Sequence, residues 1–116
     1  EILIGLVGSE MCIRDSNCIK AWRGIGWCSF ISQKHEQAMK YYEKIIEQKP
    51  LAIDYMNAGH VAWVMGDIQK ASVFYGKAIT ASGNRERFLE MFHKDEEALL
   101  TQGIREEDIP LMLDLL

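Results

Sequence analysis

IKAWRGIGWCSFISQKHEQAMKYYEKIIEQKPL, residues 19–51, runs directly into AIDYMNAGHVAWVMGDIQKASVFYGKAITASGN, residues 52–84, and the two stretches repeat one another at a constant offset of 33. Gly26 meets Gly59, Ala38 meets Ala71, Tyr42 meets Tyr75, Lys44 meets Lys77 and Ile46 meets Ile79. Conservative pairs fill the gaps: Trp22 faces Tyr55, Cys28 faces Val61, Ser29 faces Ala62, Phe30 faces Trp63, Ile31 faces Val64 and Tyr41 faces Phe74. Apolar residues in each stretch recur at three- and four-residue spacings, the period of a helix buried on one side, and strand-like alternation is scarce from Asn17 onward. A period of this length with two helices per unit predicts stacked helix pairs, because one pair alone leaves its apolar faces in water. The small residues fit that packing. Gly26 and Gly59 lack a Cβ and let a partner helix close in, while Ala38 and Ala71 leave room for aromatic rings.

Outside the two units the signals change. Helix stops fall at Ser32-Gln33, Lys49-Pro50, Met65-Gly66, Ser82-Gly83-Asn84 and Gln102-Gly103, which predicts six helices of roughly 10 to 16 residues. Arg85 to Gln102 reads as one helix, with Phe88, Phe92 and Leu99 on one side and Glu90, Lys94 and Glu97 toward water. Gly103 reads as its C-cap. Asp108 ahead of Ile109-Pro110 reads as a helix start, from which Leu111, Met112 and Leu115 close against the preceding helix. Residues 85–116 are thus expected to form a C-terminal helical cap. At the other end, Leu6-Val7-Gly8-Ser9-Glu10-Met11-Cys12-Ile13-Arg14-Asp15-Ser16 resembles a word found in front of unrelated proteins when sequencing-adaptor DNA is translated as if it were coding. On that resemblance, residues 1–16 are a non-native or disordered leader.

The repeating stretches resemble the tetratricopeptide repeat family. Its pattern of an aromatic, a close-approach Gly, a small residue, an aromatic, another small residue and a helix-ending Pro is met by Trp22, Gly26, Ala38, Tyr42, Ile45 and Pro50, then by Tyr55, Gly59, Ala71, Tyr75, Ala78 and Gly83. Gly66-Asp67 matches the family's frequent turn. Departures are Ile45 in place of a small residue, Ser29 and Ala62 where the family prefers Tyr, and a unit one residue short of 34. An ankyrin array of the same period is disfavoured by the missing Thr-Pro-Leu-His. The resemblance implies an all-α, right-handed stack of antiparallel helix pairs, with units 19–51 and 52–84 inside residues 17–84, and Trp22 and Tyr55 largely buried. It also implies a protein or peptide partner held on the concave face, at Lys20, Arg23, Trp27 and Phe30 in the first unit and at Ile53, Met56, His60 and Trp63 in the second. Chaperone-binding members clamp a terminal carboxylate with Lys, Arg and Asn. This chain offers Lys20 and Arg23 but sets Trp27 and His60 where Asn is expected, so an apolar helix or extended segment suits the groove better. The alternative is a purely structural segment of a longer helical-repeat protein.

Composition restricts the remaining possibilities. With 13 Lys+Arg against 17 Asp+Glu, a net charge of −4 and a pI near 5.3, the chain has no overall basic field, so nucleic acid is not an expected partner. The longest apolar run, from Ile2 to Val7, is far below the roughly 20 residues of a membrane span. Three cysteines, Cys12, Cys18 and Cys28, make no CxxC pair, which fits a reduced compartment with no disulfide and a cytoplasmic default. His35, His60 and His93 form no HxxxH or HExxH; only the spacing of His60 and His93 by one repeat, with Cys28 in the unit before, leaves a weak metal-binding or enzymatic alternative. No phosphate-cradling motif is present: Gly24-Ile25-Gly26 lacks a third Gly and a preceding strand. Neither a cofactor nor a catalytic residue is expected, and the oligomeric state is left open.

Overall fold

A computed structural model describes residues 16–116. Seven helices are found among them: α1 (Ser16–Ile31), α2 (His35–Ile46), α3 (Ala52–Val64), α4 (Ile68–Ser82), α5 (Arg85–Lys94), α6 (Glu96–Thr101) and α7 (Asp108–Asp114). No strand occurs among the described residues. The expected leader, residues 1–16, lies outside them except for Ser16, the first residue of α1.

Packing follows the repeat. α1 lies on α2 and α3 on α4, the pairs meet where α2 contacts α3, and α5 continues the stack against α4. The first helix of each pair also touches the next, α1 against α3 and α3 against α5. α3 is therefore the centre of the molecule. Met56, Ala58, Gly59, His60, Val61, Ala62 and Trp63 are all buried along it, the pattern of a helix covered on every side.

The glycine crossings are as the repeat predicts. A Cβ placed on Gly59 would sit 2.7 Å from two atoms of the Tyr75 ring, and one on Gly26 would sit 3.0 Å from Tyr42. Ala38, Ala71 and Ala78 are fully buried beside these rings. Trp22 is buried, with the Lys44 ammonium over its ring at 5.7 Å. Tyr55, expected to be buried, is only half-buried. Its ring borders a surface groove with Val73, Lys77 and Thr80 of α4, where Gly76 presents no side chain to cover it.

The turns inside both pairs share one geometry. Lys34 N–H donates to the Ser29 carbonyl at 2.8 Å and Gln33 N–H to the Phe30 carbonyl at 3.0 Å; one repeat later Asp67 donates to Ala62 and Gly66 to Trp63, each at 2.9 Å. The pivot residue is left-handed in each case, Gln33 at φ 65° and Gly66 at φ 92°. The Asp67 carboxylate then caps α4 by accepting from Lys70 N–H at 3.0 Å.

Two expectations are corrected here. The single helix expected over Arg85 to Gln102 breaks at Asp95, which ends α5 and leads into α6; seven helices result, and α6 and α7 have six and seven residues. At the break the Asp95 carboxylate accepts from His60 Nε2 of α3 at 3.0 Å. Cys18 is disulfide-bonded, against the expectation of no bridge, and Cys28 is an exposed free thiol. An odd cysteine count rules out complete pairing but leaves room for one bridge.

Candidate protein-interaction surface

Of the eight positions expected along the groove, four are open or partly open. Lys20 is exposed, Arg23 and Trp27 are half-buried, and Ile53 is 42% exposed. The other four, Phe30, Met56, His60 and Trp63, are core residues. Their burial has a structural reason: the C-terminal helices fold back across this side of the stack.

Three contacts make that closure. At the end of α1, the Phe30 carbonyl accepts from Gln102 Nε2 at 2.8 Å, and Gln102 Oε1 lies 2.7 Å from His35 Nε2 at the start of α2. In the middle, the His60 ring meets Phe92 of α5 edge-on at 5.5 Å while its Nε2 reaches Asp95. Near the end of α3, Trp63 borders a groove whose other walls include Leu111, Met112 and Leu115 of the α7 region. Phe30, His60 and Trp63 are thereby met by residues of the C-terminal helices, while Lys20, Arg23, Trp27 and Ile53 stay open or partly open along α1 and the start of α3.

Arg23, expected to face a ligand, is used internally. Its Nε and Nη2 donate to the two oxygens of Asp54 at 2.7 and 2.9 Å, a bidentate pair joining α1 to α3. Asp54 is fully buried, and its Oδ2 also accepts the Leu51 N–H at 2.7 Å, so one carboxylate caps α3 and ties the two pairs together. The pairing raises the Arg23 pKa through the hydrogen bond to Asp54, against an opposing desolvation.

His60 sits in a buried relay. Tyr75 Oη lies 2.6 Å from its Nδ1, and Asp95 Oδ2 lies 3.0 Å from its Nε2. Both contacts are satisfied when the imidazole is neutral, with Tyr75 donating to Nδ1 and Nε2–H donating to Asp95. Burial lowers the His60 pKa, with Asp95 opposing, and raises that of Tyr75, so both groups are neutral near pH 7. Phe88, Phe92 and Trp63 surround the Tyr75 ring at centroid distances of 5.7, 5.6 and 6.3 Å.

The profile of the tetratricopeptide repeat family matches residues 19–50 and 55–85, together more than half of the chain. The chain belongs to the tetratricopeptide repeat family. Members are generally protein–protein interaction modules and typically non-enzymatic scaffolds. No curated protein and no solved structure gave a significant match. Tetratricopeptide repeats stack their units as seen here: the Gly26 and Gly59 crossings close the two helices within each unit, and the α2–α3 and α1–α3 contacts join one unit to the next.

The sequence reading did not single out Asp54, Asp95 or Gln102. Asp54 carried a usable signal, being the single acidic residue in an otherwise apolar helix. Asp95 and Gln102 carried none, because their partners are 35 and 72 residues away. His60 and His93 do not share a site: His60 is committed to Tyr75 and Asp95, and exposed His93 pairs with Glu96. Among the described residues no three His, Cys, Asp or Glu side chains are grouped to hold a metal ion, and no helix is long and apolar enough to cross a membrane.

Proposed function

We propose that this tetratricopeptide repeat chain binds a protein or peptide on the open half of its inner face, along Lys20, Arg23, Trp27 and Ile53. The observation that carries the reading is the exposure of Lys20 and Ile53 and the partial exposure of Arg23 and Trp27 on successive first helices, beside a half that the chain fills itself. Trp27 is the natural anchor, a large, half-buried aromatic packed at a tilt against Phe30 at 5.4 Å, with Lys20 two helical turns away for polar contact. The carboxylate-clamp mode is not supported, since Arg23 is engaged by Asp54 and His60 is buried.

A second reading, a structural segment whose inner face is covered by its own chain, is favoured by one observation: Phe30, Met56, His60 and Trp63 are already buried. Site-specific photocrosslinking separates the two. A benzoylphenylalanine in place of Trp27 or Ile53 should yield a discrete heteromeric adduct in cells that express the protein, while the same probe at Val73, exposed on α4, should not. Absence of adducts at both inner positions, in a folded protein, leaves the structural reading.

A further inference from the structure

A second apolar groove lies at the Trp63 end of that face, away from its open half, between the start of α4 and α7. Trp63 and Met112 form its floor, and Ile68, Leu111 and Leu115 stand along its edges; the enclosed space is about 460 Å³. The floor is buried, with Met112 at 2% exposure, but the rims are bare: Ile68 is 53% exposed, Leu111 63% and Leu115 62%. Asp108, Leu111, Met112 and Leu115 follow one another at spacings of three, one and three, so they share one helical side, which here faces outward and toward α4.

Charge identifies the occupant. Asp108 and Asp114 line the groove and no Lys or Arg does. Of the basic side chains nearby, Arg105 pairs with Glu107 at 2.7 Å and also feels the Asp108 carboxylate, and Arg85 donates to the Leu113 carbonyl at 3.1 Å; neither lines the groove. A second copy of the chain would bring Asp108 and Asp114 against their own counterparts, on a molecule already carrying −4. A small apolar ligand does not suit an open trough whose leucines project into solvent. We infer that the Trp63–Leu111–Leu115 groove docks an amphipathic helix of another protein, one with a Leu-type stripe flanked by Lys or Arg. The exposed leucines, four residues apart, form the ridge against which such a stripe packs, and the carboxylates at either end select basic flanks. This surface is separate from the open inner half, since Lys20, Arg23, Trp27 and Ile53 take no part in it.

The test uses the whole chain and two fluorescein-labelled synthetic helices with the same leucine stripe, one with Lys flanks and one with Glu flanks, followed by fluorescence anisotropy. The Lys-flanked helix should bind saturably and the Glu-flanked one not. Leu111→Ser with Leu115→Ser, substitutions of exposed side chains, should weaken binding at least roughly tenfold with circular dichroism unchanged. Asp108→Asn with Asp114→Asn should weaken it and flatten its salt dependence. Trp27→Ala should leave it intact, which separates failure of this inference from failure of the inner-face reading. Equal binding of both helices, no binding of either, or full binding by the double-Ser variant overturns the inference. Sedimentation showing a dimer that the double-Ser substitution dissolves also overturns it, in favour of a second copy.

Discussion

Gly59 and Gly26 occupy equivalent places in the two units, yet a methyl group meets different resistance at each. At Gly59 the added carbon would lie 2.7 Å from the Tyr75 ring, which His60, Trp63, Phe88 and Phe92 hold from several sides. The ring has nowhere to go, and Gly59→Ala should cost about 1–3 kcal/mol, the usual range for overpacking a filled core. At Gly26 the distance is 3.0 Å, so Tyr42 must give less. Both sites gain about 1 kcal/mol from replacing a mid-helix Gly by Ala, which offsets much of the smaller strain at Gly26 but not that at Gly59. Urea denaturation should therefore show a clear loss of midpoint for Gly59→Ala and a much smaller change for Gly26→Ala; equal losses would contradict this account of the two crossings. The tightness at both glycines was legible from the 33-residue offset alone, because a Gly aligned with a Gly ahead of an aligned Tyr has few other physical meanings. The half-exposure of Tyr55 was not, because it depends on Gly76 across the pair rather than on a matched position in the repeat.

Among the described residues four helices end at a residue of positive φ, and only the first lacks glycine. Gly66, Gly83 and Gly103 take φ of 92°, 95° and 106°, while Gln33 takes 65° with a side chain in place. A left-handed conformation costs a side-chain-bearing residue about 1–2 kcal/mol. Glycine avoids that cost but loses about 0.4–1 kcal/mol through the greater freedom of its unfolded chain. Gln33 is exposed, so little else changes. Gln33→Gly is expected to stabilise the α1–α2 joint by about 0.5–1 kcal/mol net, read as a higher melting temperature; a lower one would mean that the side chain has a role the backbone geometry does not show. Such elements are what sequence reads best: α1, α3 and α4 end at the Gly and polar stops expected of them, and α2 ends at Ile46, three residues ahead of the expected Lys49-Pro50. The break at Asp95 was hidden. Phe88, Phe92 and Leu99 keep helical spacing straight across it, and the contact found at the break joins Asp95 to His60, on a helix two elements earlier.

Across the whole molecule, the repeats and the cap meet at a titratable group. His60 of α3 is held by Tyr75 of α4 and by Asp95 between α5 and α6, and these two are the polar groups that bond to its ring. Burial sets the folded-state pKa of His60 below the ordinary value near 6.5, with the Asp95 carboxylate opposing. The unfolded chain therefore takes up the proton first. Stability should be complete above about pH 6.5 and fall as pH drops through that value toward the lower folded pKa, because the unfolded state then binds more protons. Melting temperatures of the protein and of His60→Gln between pH 7.5 and 5 check this; the substitution should flatten the acid-side slope, His35 and His93 being common to both. Parallel slopes would remove His60 as the source. The cap's position over Phe30, His60 and Trp63 was the least legible feature of the sequence, since neither periodicity nor composition records a fold-back spanning 72 residues. That span also sets an order of assembly. Successive helices close short loops and gain their contacts early, whereas Gln102 reaches Phe30 only after a long loop is drawn in. During synthesis from the N-terminus, the aromatic bed of α1 and α3 is complete many residues before its cover exists, so the nascent chain passes through an interval in which Phe30, His60 and Trp63 face the surroundings bare.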